Sequence, residues 1–174
     1  MNNQSQKFKY SAATKIVMNA SQKQAWQVLQ DFSSVHTWAP AVSDSYQIGK
    51  EQKGVGHGRH CDIDGFGGID EIITQWNEGK GFEYSVTPLG PLAASSSQWK
   101  LVKMGETHTR LEVTLSYNLR FGIFGKLLHA LVMKSKLQTS LKETGEAVKD
   151  RVESQAAKYG DDSEMLASQG ASLA

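Results

Sequence analysis

Apolar and polar residues alternate along most of the chain, and near its C-terminal third the period changes. Leu111, Val113, Leu115, Tyr117 and Leu119 alternate with Glu112, Thr114, Ser116 and Asn118. A period of two with one apolar face predicts a half-buried antiparallel strand. Beyond a corner at Phe121-Gly122-Ile123-Phe124-Gly125, the residues Leu127, Leu128, Leu131, Leu137, Leu141, Val148 and Val152 recur at helical spacing. They predict a helix of roughly seven turns over residues 126–153. Such a helix needs a large apolar surface to lie on. A sheet wrapped around one helix often leaves a cavity between the two.

The upstream pattern supplies that sheet. Residues 10–18 form a first strand with Ala12, Thr14, Ile16 and Met18 on one face. Ser21 and Gln24 make a capping box, with Ser21 as N-cap and Gln24 three residues on. The helix it opens carries Ala25, Trp26, Val28 and Leu29 and ends near Asp31. A second helical turn at 33–38 stops before Pro40. Strands follow at 42–48, 56–63, 69–76, 82–86, 93–103 and 111–120, joined by turns rich in Gly, Asp, Asn and Pro. Six strands in succession joined by tight turns give an antiparallel meander, and a helix segregated to one face makes the class α+β. The folded domain is expected over 9–153. Residues 1–8 and 154–174 are expected to be flexible tails, with Gly160, Asp161 and Asp162 as helix breakers.

Composition narrows the classes. The length of 174 residues fits one domain with a single good core. A net charge of +1 gives no electrostatic case for nucleic acid or an anionic membrane. The single Cys61 excludes an internal disulfide framework and a zinc cage built from several cysteines. No apolar run approaches the roughly 18 residues of a membrane-spanning helix, so no stable membrane insertion is expected. Residues 1–7 lack the apolar stretch of a signal peptide. A soluble cytoplasmic protein is the expectation, with oligomeric state left open.

Alternation also sorts the strands by face. Arg59, Cys61 and Ile63 share the inward face with Ile69, Glu71 and Ile73, with Phe82, Tyr84 and Val86, with Trp99 and Leu101, and with Leu111, Val113, Leu115 and Tyr117. Arg59 and Glu71 are the charged exceptions. Burial would disfavour the charged form of a carboxylate there, and a neighbouring guanidinium would offset this. Glu71 is then a proton donor or acceptor, an anchor for a ligand, or half of a structural pair with Arg59. His57, His60, Cys61, Asp62 and Asp64 invite a metal reading, but His60, Asp62 and Asp64 face away from Cys61 on a strand. Neither metal nor cofactor is expected. Gly54-Val55-Gly56-His57-Gly58 leads into a strand rather than a helix, which excludes a dinucleotide loop.

Several segments taken in order resemble the START-like or SRPBCC superfamily, the helix-grip fold. They are Ala25-Trp26-Gln27-Val28-Leu29-Gln30-Asp31-Phe32, then Trp38-Ala39-Pro40, then Gly54-Val55-Gly56-His57-Gly58-Arg59, then Glu71-Ile72-Ile73-Thr74-Gln75-Trp76, and the closing helix. The likeness is to the polyketide cyclase/dehydrase and lipid-transport branch and to bacterial relatives of the plant abscisic-acid receptors, and it covers residues 9–153. It implies a curved sheet of about seven strands around a long C-terminal helix, with a ligand cavity between them. In the receptor branch the glutamate matching Glu71 lies in that cavity. The candidate ligand-binding residues are then Arg59, Cys61, Glu71, Phe82, Tyr84, Trp99 and Tyr117 from the inward face of the sheet, and Ser135 and Gln138, which interrupt the apolar stripe of the helix and either face the cavity or belong to a solvent-exposed helix face. The loops at 88–92 and 121–125 would flank its entrance.

The implied function is binding or transport of a small hydrophobic molecule such as a lipid or polyketide. The alternative is a cyclase/dehydrase-type enzyme in which Glu71 and Arg59 steer enolisation or dehydration and Tyr84 or Tyr117 donates a proton. A third possibility is a protein-interaction module acting through Phe121 and Phe124.

Overall fold

The computed structural model describes residues 7–120 and 133–171, with side chains as far as Lys158. The corner at 121–125 and the first residues of the predicted helix lie outside the described residues. Strand β1 (Tyr10–Met18) buries every second residue, Ala12, Thr14, Ile16 and Met18. Helix α1 (Gln22–Leu29) starts on the predicted capping box: the Gln24 N–H donates to Ser21 Oγ at 3.3 Å, and the Ser21 N–H donates to Gln24 Oε1 at 2.9 Å. It turns Ala25, Trp26, Val28 and Leu29 into the core. A 3-10 turn follows (Phe32–Thr37), with Phe32 and Val35 buried. Ser45 of the following strand ties it down, its Oγ donating to the Ser33 carbonyl at 2.7 Å.

Strands β2 (Val42–Ile48), β3 (Gly58–Ile63), β4 (Gly67–Asn77), β5 (Gly81–Val86), β6 (Leu92–Lys103) and β7 (Thr109–Leu119) complete the sheet. It is antiparallel with order β1-β7-β6-β5-β4-β3-β2, the meander plus a returning first strand. Tight turns make neighbours of sequential strands, and β1 closes against the last one. At Gly81 the backbone sits at φ +136°, and a side chain there would run into the Trp99 carbonyl. Only glycine lets β5 start so close to β6.

The long helix (Lys134–Ala171) packs chiefly on β1 and also touches α1 and β7. Val148 and Val152 are fully buried, and Leu141 and Ala156 pack beside them. Gly145 permits the close approach: a Cβ there would lie 2.7 Å from Ile16 Cγ1. The helix runs on past Glu153, where the sequence pattern ends it. Gln155, Ala156, Ala157 and Lys158 are good helix formers, and a mid-helix glycine costs only about 1 kcal/mol, so Gly160 does not stop it. Among the described residues no helix is long and apolar enough to cross a membrane.

Candidate functional site

Strand register sorts the inner face into transverse rows. Directly opposed residues share a face, so each row runs across the sheet at one height. One row is Trp76, Phe82, Trp99, Val113 and Thr14. The next is Ile73, Tyr84, Ser97, Leu115 and Ala12, with His57 paired to Ile73 just ahead of β3. The third is Arg59, Glu71, Val86, Ser95, Tyr117 and Tyr10. Polar chemistry is thus concentrated in one rung.

The first row is filled. Trp76 stacks on Phe82 with ring centroids 5.9 Å apart, Phe82 stacks on Trp99 at 6.0 Å, and Trp26 of α1 meets Trp76 edge-on at 4.8 Å. Phe32 stands edge-on to both Phe82 and Tyr84. The Trp99 indole N–H is satisfied internally by Tyr84 Oη at 3.2 Å and Ser97 Oγ at 3.0 Å.

In the third row Arg59 and Glu71 are each 6 % exposed. Arg59 Nε donates to Glu71 Oε2 at 2.5 Å, and its Nη1 donates to the Phe32 carbonyl at 2.6 Å. The guanidinium lies 3.9 Å above the Phe32 ring, with the Tyr84 ring at 5.4 Å. The pair expected from the sequence therefore exists, and the carbonyl from the 3-10 turn completes it. Cys61 Sγ contacts the same carboxylate oxygen at 3.7 Å. Both contacts fall on Oε2, so Oε1 carries no hydrogen bond among the described residues. Ser95, 5 % exposed in the same row, likewise has no side-chain hydrogen bond among the described residues.

Electrostatics freezes most of this neighbourhood. Burial pushes the Cys61 thiol up to about 12 against the pull of Arg59, so it stays protonated. Burial, helped by Glu71, raises the Tyr84 phenol well above its ordinary value. Burial acts against the Arg59 cation, but Glu71, Tyr84 and Cys61 together outweigh it and the pKa rises. His57 is 4 % exposed; burial and then Arg59 lower its pKa, so it is neutral at neutral pH. Its Nε2 shares a hydrogen bond with Ser33 Oγ at 2.9 Å, and its Nδ1 is buried without a partner among the described residues.

The structure brings together seven of the nine sequence-derived candidates. Arg59, Cys61, Glu71, Phe82, Tyr84, Trp99 and Tyr117 are all buried on the inner face. Ser135 and Gln138 are exposed, and Gln138 donates its Nε2 to the Ala13 carbonyl at 2.6 Å, where it ties the helix to β1. His60 stands on the outer face, hydrogen-bonded to Asp70 at 2.6 Å and 3.5 Å from Asp62. A hollow of about 180 Å³ at the β4–β5 turn, lined by residues such as Gln75, Lys80, Gln98 and Lys100, is remote from the polar rung. Ser95 joins this face by the same alternation, which runs from Leu101 and Trp99 on to Ser97 and Ser95. The Phe32 carbonyl has no sequence signal, because a tertiary contact alone brings it to Arg59.

The model of the family described as polyketide cyclase / dehydrase and lipid transport matches residues 9–153. A START superfamily protein from Mycobacterium smegmatis superposes with a TM-score of 0.68 at 14% identity, covering 84% of this chain and 99% of its own. The Zhui aromatase/cyclase from a Streptomyces species gives 0.66 at 14% identity, covering 86% and 94%. Norcoclaurine synthase from Thalictrum flavum, in complex with dopamine and hydroxybenzaldehyde, gives 0.64 at 14% identity, covering 82% and 86%. At such identities the solved structures share the fold alone. Curated protein sequences offer no match.

Proposed function

The chain belongs to the polyketide cyclase/dehydrase and lipid-transport family of the START-like superfamily, and from that premise we propose that it binds a small, largely hydrophobic molecule against the inner face of its sheet. The observation that carries this is the buried Arg59–Glu71 pair with one carboxylate oxygen left unengaged. Among the described residues only His57 Nδ1 is a buried side-chain atom without a partner, so the unengaged Glu71 oxygen is not sealed off and is open to a donor from outside the pair. A carboxylate held rigidly by Arg59, with a free oxygen beside the half-buried Val86, is an anchor for a ligand hydroxyl or enol. Apolar walls with a few oriented polar groups are the usual make-up of a small-molecule site.

Binding is favoured over chemistry. General acid–base catalysis works best with a group whose pKa lies near the working pH. Cys61 and Tyr84 are pushed upward and His57 downward, away from proton exchange near neutrality. The test is a titration with a hydrophobic fluorescent probe, read by quenching of tryptophan emission. Wild type should bind saturably, and Val86→Trp, which places bulk beside the free oxygen, should lose binding at least tenfold. Equal affinity in the two proteins would overturn the proposal. Turnover of a poly-β-keto substrate that disappears in Glu71→Gln would replace the carrier by the enzyme.

A further inference from the structure

The polar rung holds two unengaged groups, and Val86 separates them. Glu71 opposes Val86, and Val86 opposes Ser95, so the acid and the hydroxyl lie two strands apart at one height of the inner face. Neighbouring strands are about 4.8 Å apart, which sets the backbones that carry the two anchors about 10 Å from each other. Ser95 is 5 % exposed and unpartnered among the described residues, whereas its neighbour Ser97, one row away, is used by the Trp99 indole. The row toward α1 is aromatic and closed.

Resting on the binding reading above, we infer that the ligand is an elongated, mostly apolar molecule with two oxygen functions about 10 Å apart. One is a hydrogen-bond donor that reaches Glu71 Oε1, and the other meets Ser95 Oγ. Val86 requires the stretch between them to be apolar. A ligand with a single polar head would leave one buried group unsatisfied, and that penalty selects against it. This is recognition at two points by one rung of a sheet, and the spacing of the strands is its ruler.

Rigid biphenyls test the ruler. Isothermal titration calorimetry on the full chain would compare unsubstituted biphenyl, a biphenyl with one hydroxyl at its far end, one with a hydroxyl at each far end, and an isomer with both hydroxyls on one ring. The two-ended diol should bind about tenfold tighter than the monophenol, the gain of one good hydrogen bond. The one-ring isomer should show no such gain. Ser95→Ala should bring the ratio of two-ended diol to monophenol down to about one, and Ser95→Thr, which keeps a hydroxyl, should preserve it. A one-ring isomer as tight as the two-ended diol overturns the inference, as does a ratio that survives Ser95→Ala. If the monophenol binds and the two-ended diol binds no better, the two-point inference alone falls. If no biphenyl binds, the binding reading falls with it.

Discussion

At one end of the inner face Trp76, Phe82 and Trp99 stand side by side under α1 and fill the available space; two rows along the same strands, Arg59, Glu71 and Ser95 hold polar atoms with capacity to spare. Both ends are made by the same strands in the same register. The difference lies in residue choice: β5 runs Phe82, Tyr84, Val86 and β6 runs Trp99, Ser97, Ser95, so both inner faces shrink in step toward the polar rung. On β7 and β1 the order is reversed, Val113, Leu115, Tyr117 and Thr14, Ala12, Tyr10, so toward the polar rung the bulk passes from the middle strands to the edge of the sheet. The aromatic end is packed shut, and the polar rung holds the unengaged atoms on which the binding proposal rests.

The comparison can be broken most forcefully at the closed end. Trp99→Ala should cost about 3–5 kcal/mol, the usual price of truncating a buried aromatic, whereas Ser95→Ala should change stability by well under about 1 kcal/mol. Urea denaturation measures both, and equal losses would mean that the two ends are not differently packed. Next comes the ion pair. Glu71→Gln leaves the Arg59 cation buried without its counter-charge and should lower stability by about 3 kcal/mol. The double variant Arg59→Met/Glu71→Gln should regain most of that loss, because no buried charge remains. If the double variant is no better than the single, the pair is not the reason for the loss.

Gly145→Val tests the grip of the helix. The new side chain meets Ile16 below contact distance, and overpacking of this kind costs about 1–3 kcal/mol. Chemical denaturation should show the loss, and Ile16→Ala in the same chain should relieve part of it. A neutral Gly145→Val would mean that the helix does not need its close seat on β1.

The smallest effect separates the two faces of the sheet by pH. His57, beneath the inner face, has its pKa lowered by burial and then by Arg59. Its contribution to stability is present above its ordinary value of 6.5 and is lost as pH falls through the lowered folded value. His60, on the outer face, has its pKa raised, first by the hydrogen bond it donates to Asp70. Its contribution is present below 6.5 and is lost as pH rises through the raised folded value. Denaturation midpoints followed from acid to alkaline pH should therefore move in opposite senses in His57→Gln and His60→Gln relative to wild type. NMR titration of the two imidazoles should bracket 6.5 from either side.

The sequence by itself determined the seven strands, their faces and the capping box at Ser21, because alternation and capping are local signals that need no partner to be read. Residue identity alone also put Arg59 and Glu71 on one inward face. What only the tertiary structure decided is where those faces meet. Register aligned Glu71 with Val86 and Ser95, and a one-residue slip in any strand would have turned the rung outward. The 3-10 turn delivered the Phe32 carbonyl to Arg59. The helix, whose apolar stripe is plain in the sequence, settled on β1 through Gly145 and left Ser135 and Gln138 exposed instead of on the inner face with Arg59 and Glu71. A helical stripe says which side of a helix is buried but not which strand it is buried against, since that choice rests on contacts between residues more than a hundred positions apart in the chain.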